Sequence, residues 1–339
     1  MDRDAWASVR QAMERDSANR RALEAVDSGL IMVALDDEAG DGPTEEAKLF
    51  LHGRAGRNRW FDKHQLAVLA DGAMAVNFEH SYSDGMAWCR MLGDVWGDMH
   101  GAAIAAAGGG ATLKFGMPLP VAETCGESAL APPQEITFSL DKALADVAGC
   151  ARAEFEAACA GCGLSVLDFD AFGKNEVKKW KVSPDAAAQM AFQLAYRSVH
   201  GGAVAPTYES CSTRLYHHGR TENIRAATAE GAAFSAAMLD KSASDGARRA
   251  ALAAAAAAHV ALAKDAQKGM GVDRHLAAMR HVAAREAPDL GKAFFADPMV
   301  GRSSTWLLST SNLSYPFLTK FGFVAETCAG YDVGYIVHG

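Results

Sequence analysis

Residues 65–79 read Q-L-A-V-L-A-D-G-A-M-A-V-N-F-E. Two apolar runs, 65–70 and 73–79, flank Asp71-Gly72, a dipeptide that signals a β-hairpin whose two central turn residues take positive φ. The second run leads into His80, so the spacing predicts that this histidine closes a central strand. Upstream, a charged stretch with helical rhythm from Asp2 to about Val26 precedes G-L-I-M-V-A-L at 29–35, a short buried-strand pattern. A helix followed by a strand is therefore expected here.

Further along, Met86, Cys89, Leu92, Val95, Trp96 and Met99 are spaced for an amphipathic helix, and Gly108-Gly109-Gly110 stops it. Residues 117–134 hold four of the ten prolines, which suits a crossing linker better than a packed element. The expected organisation is therefore a first domain over 1–116, a linker over 117–135 and a second domain over 136–339. Within the second domain the pattern predicts a helix near 139–160 and a loop carrying Lys174, Lys178, Lys179 and Lys181. A further helix starts at Pro184 with Ser183 as its N-cap. The alanine-rich stretch from Ala247 to Ala266 reads as a surface helix without a function of its own. A helix at about 273–286 and strand-like runs at 305–310 and 331–337 complete the chain.

Composition narrows the function. The 339 residues are 50% hydrophobic and 22% charged, within the globular range and long enough for two domains. A net charge of -8 supplies no polybasic field, so nucleic acid is not an expected partner and any anionic ligand must meet local cations. The seven cysteines are odd in number and scattered, a pattern of reduced thiols rather than a disulfide framework. Cys159 and Cys162 form a C-x-x-C pair with no second pair to complete a zinc site, and read as helix-end packing. No apolar run reaches the roughly 18 residues of a transmembrane helix. The N-terminal M-D-R-D-A-W-A-S-V-R has neither a signal-peptide core nor the acid-poor character of a transit peptide.

Two segments carry chemistry. N-F-E-H-S-Y-S-D-G at 77–85 presents a histidine before small and acidic residues, as an exposed general base could be presented. T-Y-E-S-C-S-T-R-L-Y-H-H-G-R-T-E-N-I-R at 207–225 concentrates hydroxyls, guanidinium groups and carboxylates that suit a small anionic or zwitterionic ligand.

Together with G-R-N-R-W-F-D-K at 56–63, F-G-K at 172–174, S-P-D-A at 183–186, G-V-D-R-H-L at 271–276 and L-S-T-S at 308–311, these segments resemble the carnitine/choline acyltransferase family, most closely its carnitine palmitoyltransferase branch. The resemblance extends over most of the chain. It implies two chloramphenicol-acetyltransferase-like α/β domains with mixed sheets flanked by helices. Relative to the family, the first domain, holding the catalytic histidine, is incomplete and the C-terminus is slightly short. The second is the domain that binds coenzyme A and carnitine. The implied activity is reversible transfer of an acyl group between coenzyme A and the hydroxyl of L-carnitine, both as substrates, with no metal or prosthetic group.

The resemblance also implies roles residue by residue. His80 is the general base, Ser311 the oxyanion donor, and Asp84 the carboxylate that pairs with Arg274. Arg274, Tyr208 and Thr221 hold the carnitine carboxylate, with Ser210 and Phe323 lining the same site. Lys174 and Lys178 meet the phosphates of coenzyme A, and Asp185 and Glu209 its pantetheine and adenine side. Phe321, ten residues after Ser311, stands at the acyl-channel gate, where an aromatic ring favours short or medium chains over palmitoyl. The alternatives are a truncated, non-catalytic binder of coenzyme A or carnitine and a choline acetyltransferase-like enzyme. The latter would have no use for the arginine and threonine, because choline lacks a carboxylate. The implied compartment is the mitochondrion, with the peroxisome as alternative, although V-H-G at the C-terminus is no peroxisomal signal. Peripheral membrane association in that branch runs partly through segments absent from this chain.

Overall fold

A computed structural model describes residues 1–106, 132–287, 289–324, 327 and 329–339, with side chains described outside 99–106. The glycine run at 108–110, residues 117–131 of the expected linker, Cys125 and Cys328 lie outside the described residues. The chain divides into two compact units, Met1–Ser83 with Gly93–Leu167, and Asp84–Leu92 with Asp168–Gly339.

The first unit opens with α1 (Arg3–Met13) and α2 (Ser17–Ser28), capped by Asp2 and Asp16, whose carboxylates accept from backbone N–H groups of the first turn. β1 (Ile31–Leu35) follows, then α3 (Pro43–His52), β2 (His64–Val68) and β3 (Met74–Asn77). β1 and β2 are parallel and β2 and β3 antiparallel, in the order β1-β2-β3. The hairpin at Asp71-Gly72 forms, with a correction to its turn. Gly72 alone takes positive φ, at 87°. Its N–H donates to Leu69 O at 2.9 Å, and Leu69 N–H donates to Ala73 O at 2.9 Å. The loop is therefore three residues long with a left-handed glycine, which spares Asp71 a strained conformation.

One face of this sheet is covered and buries Ala34, Gln65 and Ala67, while Ile31, Val33, Leu35 and Met74 of the other face are exposed. The string at 56–63 serves the fold here. Arg59 is buried against Asp36 at 2.6 Å and also donates to Leu49 O, and Lys63 Nζ donates to Gly29 O at 2.9 Å. The α3 end, the α2–β1 junction and the strand after it are thus held by two cations. α4 (Gly85–Ala106) and α5 (Lys142–Gly161) complete this part of the chain, α5 grouping with the first unit. Cys162 is the C-cap of α5, so the C-x-x-C pair does lie at a helix end, but Cys162 is exposed and does not pack there.

The second unit contains α6 (Lys174–Lys179), α7 (Pro184–Val199), β4 (Thr207–Ser212), β5 (Thr221–Ile224), α8 (Ala229–Leu239), α9 (Asp245–Gln267), α10 (Asp273–Glu286), α11 (Lys292–Phe295), α12 (Pro298–Ser303), β6 (Leu308–Asn312) and β7 (Tyr331–Tyr335). The strand order is β5-β4-β6-β7, with β4–β5 antiparallel and β4–β6 and β6–β7 parallel. Ser183 caps α7 as the sequence predicts, its Oγ accepting from Ala186 N.

The helices α7, α8 and α9 pack together around Met190, Phe234 and Ala255, and α9 also meets the sheet through Cys211, Ile224 and Ala266. The alanine-rich helix is thus not a plain surface element. Alanine keeps it slim, so that Ala255, Ala256, His259 and Ala266 bury against neighbours at short range. Both units are mixed α/β.

Candidate active site

Alternation along β4 sorts its side chains by face: Thr207, Glu209 and Cys211 are buried, whereas Tyr208, Ser210 and Ser212 are partly open. Register carries the sorting across the sheet. Thr221 lies opposite Ser212, and Ser309, itself buried, beside Tyr208, so these residues and Ser311 share one face of the sheet. The outcome is a sheet with one side of hydroxyls and a helix-covered side of buried polar groups.

On the open side, Arg274 at the start of α10 reaches back to the strands. Its Nη2 donates to Tyr208 Oη and Thr221 Oγ1, both at 3.1 Å, and its Nε donates to Thr221 O at 3.0 Å. Nη1 makes no hydrogen bond among the described residues, so one corner of the guanidinium remains for a ligand carboxylate. α10 is anchored by the residue before. Asp273 accepts from Asn223 Nδ2 at 2.9 Å and from Arg225 at 2.6 Å, both on β5 or its end.

Asp84 departs from expectation. It accepts from Arg220 Nη2 at 2.9 Å and Nε at 3.4 Å, a two-pronged pair, while Arg274 is held by Tyr208 and Thr221. Arg220, which adjoins Thr221 just before β5 and which the sequence reading left without a role, pairs with Asp84.

Ser210 Oγ and Ser311 Oγ lie 3.1 Å apart. Between and beneath them, Thr310 Oγ1 donates to Tyr208 O at 3.0 Å and accepts from Gln189 Nε2 at 2.9 Å, locking β6 to β4 and α7. β7 brings Gly334 beside Ser311. A Cβ at Gly334 would lie 2.5 Å from Phe321 O and 3.1 Å from Gly322 Cα, so the glycine admits the Phe321-Gly322 backbone over the open face. Phe321 and Phe323 are partly buried, with ring centroids 5.9 Å apart.

Lys174 and Lys178 occupy a helix rather than the expected loop. On α6 they are i and i+4, hence on one side, both exposed and neither with an ion-pair partner among the described residues; Lys179 instead pairs with Glu176 at 2.7 Å. Gly173 admits the chain end: a Cβ there would meet His338 O at 2.5 Å, and Lys174 N–H donates to that oxygen at 2.7 Å.

Asp185 and Glu209 belong to the helix-covered side. Glu209 is 4% exposed and His259 1%, with Oε2 and Nε2 2.7 Å apart. Burial pushes the Glu209 carboxyl up, opposed by His259 and reinforced by Asp185. Burial works against charging His259, but Glu209 outweighs it and the imidazole is held above its ordinary range. Asp185 is partly open, and its Oδ1 accepts from Tyr335 Oη at 2.7 Å and Asn312 Nδ2 at 2.8 Å. The phenol of Tyr335 is pushed up strongly, first by burial and then by Asp185 and Glu209. Asp185, Glu209 and His259 place one donor atom each within 4.8 Å of one another, a set that could hold a cation; their own hydrogen bonds account for the cluster without one. His259, Gln189 and Tyr335 were not foreseen. A glutamine facing β6 from α7 and a single histidine in an alanine run were the available signals.

His80 lies in the first unit, three residues past β3. It is exposed, and its ring lies 5.3 Å from that of Phe78. β3 is an edge strand of the described three-stranded sheet, not a central one, because β2 pairs with both neighbours. A terminal position frees the backbone beyond Asn77 to present a side chain.

A family model described as Choline/Carnitine o-acyltransferase matches residues 1–339. The chain belongs to the choline/carnitine O-acyltransferase family. It is 36% identical to carnitine O-palmitoyltransferase 2, mitochondrial, of Macaca fascicularis over 100% of this chain and 49% of that protein, and 36% identical to the same protein of Homo sapiens over 99% and 49%. Against carnitine O-palmitoyltransferase 1, muscle isoform, of Homo sapiens it is 32% identical over 98% of this chain and 44% of that protein. The chain spans about half the length of these relatives. Among the described residues, no helix is long and apolar enough to cross a membrane.

Proposed function

We propose that this chain carries the carnitine- and coenzyme A-binding machinery of a carnitine O-acyltransferase, with His80 as the general base. The observation that carries the reading is the arrangement of Arg274, Tyr208 and Thr221 next to Ser210 and Ser311 on one face of the sheet. A guanidinium with an unused corner, flanked by hydroxyls, suits the carboxylate of L-carnitine and has no counterpart in choline.

In the proposed step the His80 imidazole takes the proton of the carnitine hydroxyl, whose oxygen attacks the thioester carbonyl of acyl-coenzyme A. The tetrahedral intermediate bears an oxyanion that accepts a hydrogen bond from Ser311. Collapse breaks the carbon–sulfur bond, and the imidazolium returns its proton to the departing thiolate. Lys174 and Lys178 meet the phosphates of the coenzyme, Asp185 its pantetheine arm, and Phe321 limits the acyl chain. Asp84, held by Arg220, is a positioning residue. The chemistry calls for no metal. The names of the relatives favour the mitochondrion as compartment, with the peroxisome the alternative.

The test is L-carnitine-dependent release of free coenzyme A from acetyl-, octanoyl- and palmitoyl-coenzyme A by the chain and by His80→Ala. Release that vanishes in the variant supports the reading. Folded protein that binds coenzyme A or carnitine without release would make it a binding protein instead.

A further inference from the structure

His259 is the polar residue on the packed side of an otherwise alanine-lined helix. It is 1% exposed, bonds Glu209 through Nε2, and leaves Nδ1 buried without a partner. An aliphatic side chain would fill this place at no such cost, since a buried nitrogen without a partner lowers stability. What the ring gains is control of Glu209, and Glu209 adjoins Asp185, which Tyr335 and Asn312 hold from β7 and β6. Of the two acids only Asp185 is partly open, so Glu209 lies behind it rather than beside a ligand.

We infer that His259 is a positioning residue of the coenzyme site, fixing Glu209 so that the Asp185 carboxyl is turned toward the hydroxyl and amide donors of a pantetheine arm. The inference rests on the proposed coenzyme site. It reassigns Glu209 from ligand contact to support and adds a residue from α9. Five elements converge on one carboxylate: α7 carries it, β6 and β7 donate to it, and β4 with α9 backs it. A carboxylate so held keeps one orientation without rearranging when ligand arrives, which is how a supporting layer raises affinity.

The test compares two ligands by calorimetry: coenzyme A, and adenosine 3′,5′-bisphosphate, which has phosphates and adenine but no pantetheine arm. His259→Ala is expected to weaken coenzyme A about tenfold or more and leave the bisphosphate unchanged. His259→Gln, which can place an N–H near the Nε2 position, is expected to restore most of the loss. Glu209→Gln keeps the side-chain volume and carries the same test should His259→Ala fail to fold; it too is expected to lose affinity for coenzyme A alone. Equal losses for both ligands, or no loss, overturn the inference. Failure of the wild-type chain to bind either ligand overturns the coenzyme site itself, and with it this reading.

Discussion

Ser210 Oγ lies 3.1 Å from Ser311 Oγ, across the parallel pairing of β4 and β6. Each hydroxyl can donate only once, so one of the pair accepts from the other and leaves a single donor pointing away. With Ser311 as the oxyanion donor, Ser210 donates to it and the Ser311 O–H is left to point at substrate. Ser311→Ala should lower the carnitine-dependent rate by about 10²–10³, the usual cost of one oxyanion donor. Ser210→Ala should cost far less, since the donor survives. The comparison is of kcat; equal losses in the two variants would sink the assignment.

Arg274 and Arg220 are expected to separate kinetically. Arg274→Ala removes the cation held by Tyr208 and Thr221 and should cost about 1.5–3 kcal/mol of carnitine binding, seen as a raised KM for carnitine with that for coenzyme A unchanged. Arg220→Ala leaves Asp84 without its two-pronged partner and should depress kcat more than it raises either KM. Steady-state rates over both substrates distinguish the two.

The Phe321-Gly322 backbone crosses Gly334, which has no room for a Cβ. Gly334→Ala should push that backbone off the sheet, costing about 1–3 kcal/mol as overpacking does, measurable by urea denaturation. Phe321→Gly makes no such demand and should instead admit longer acyl chains. An octanoyl rate no higher in Phe321→Gly, with palmitoyl-coenzyme A still refused, would contradict the gate.

Protonation at the buried pair sets a pH dependence of stability. Both Glu209 and His259 are held above their ordinary values, so the native state keeps protons that the unfolded chain has released. For His259 the stabilisation is complete below its unfolded value of about 6.5 and is lost as pH rises through the higher native value. Glu209 acts in the same direction above its own unfolded value. The melting temperature of the wild type relative to His259→Gln should therefore fall as pH rises from about 6 to 9. Parallel curves would show that the ring does not hold the proton.

Much of the local structure was legible in the chain. Ser183 before Pro184 is a cap with its own mechanism, and the helices expected near 139–160 and at about 273–286 form over Lys142–Gly161 and Asp273–Glu286. Seven strings in order also sufficed for the family, because chemistry-bearing residues are read one by one. The turn at Asp71-Gly72 was misread in detail, since whether one or two residues take positive φ depends on where the flanking ladder ends.

The chain by itself determined the family, the Ser183 cap and several of the helices and strands, all of which rest on neighbours within a few residues. Only the tertiary structure decided which face each strand residue takes, and with it the fate of Glu209. β4 meets β6 across about a hundred residues, and the register of that pairing is set by what packs beneath. A one-residue difference would have put Glu209 among the hydroxyls and Tyr208 under the helices. Other contacts distant in the chain give Asp84 to Arg220 and place His259 behind the carboxylates. Hydrogen-bond partners far apart in sequence are chosen by geometry that no local pattern encodes.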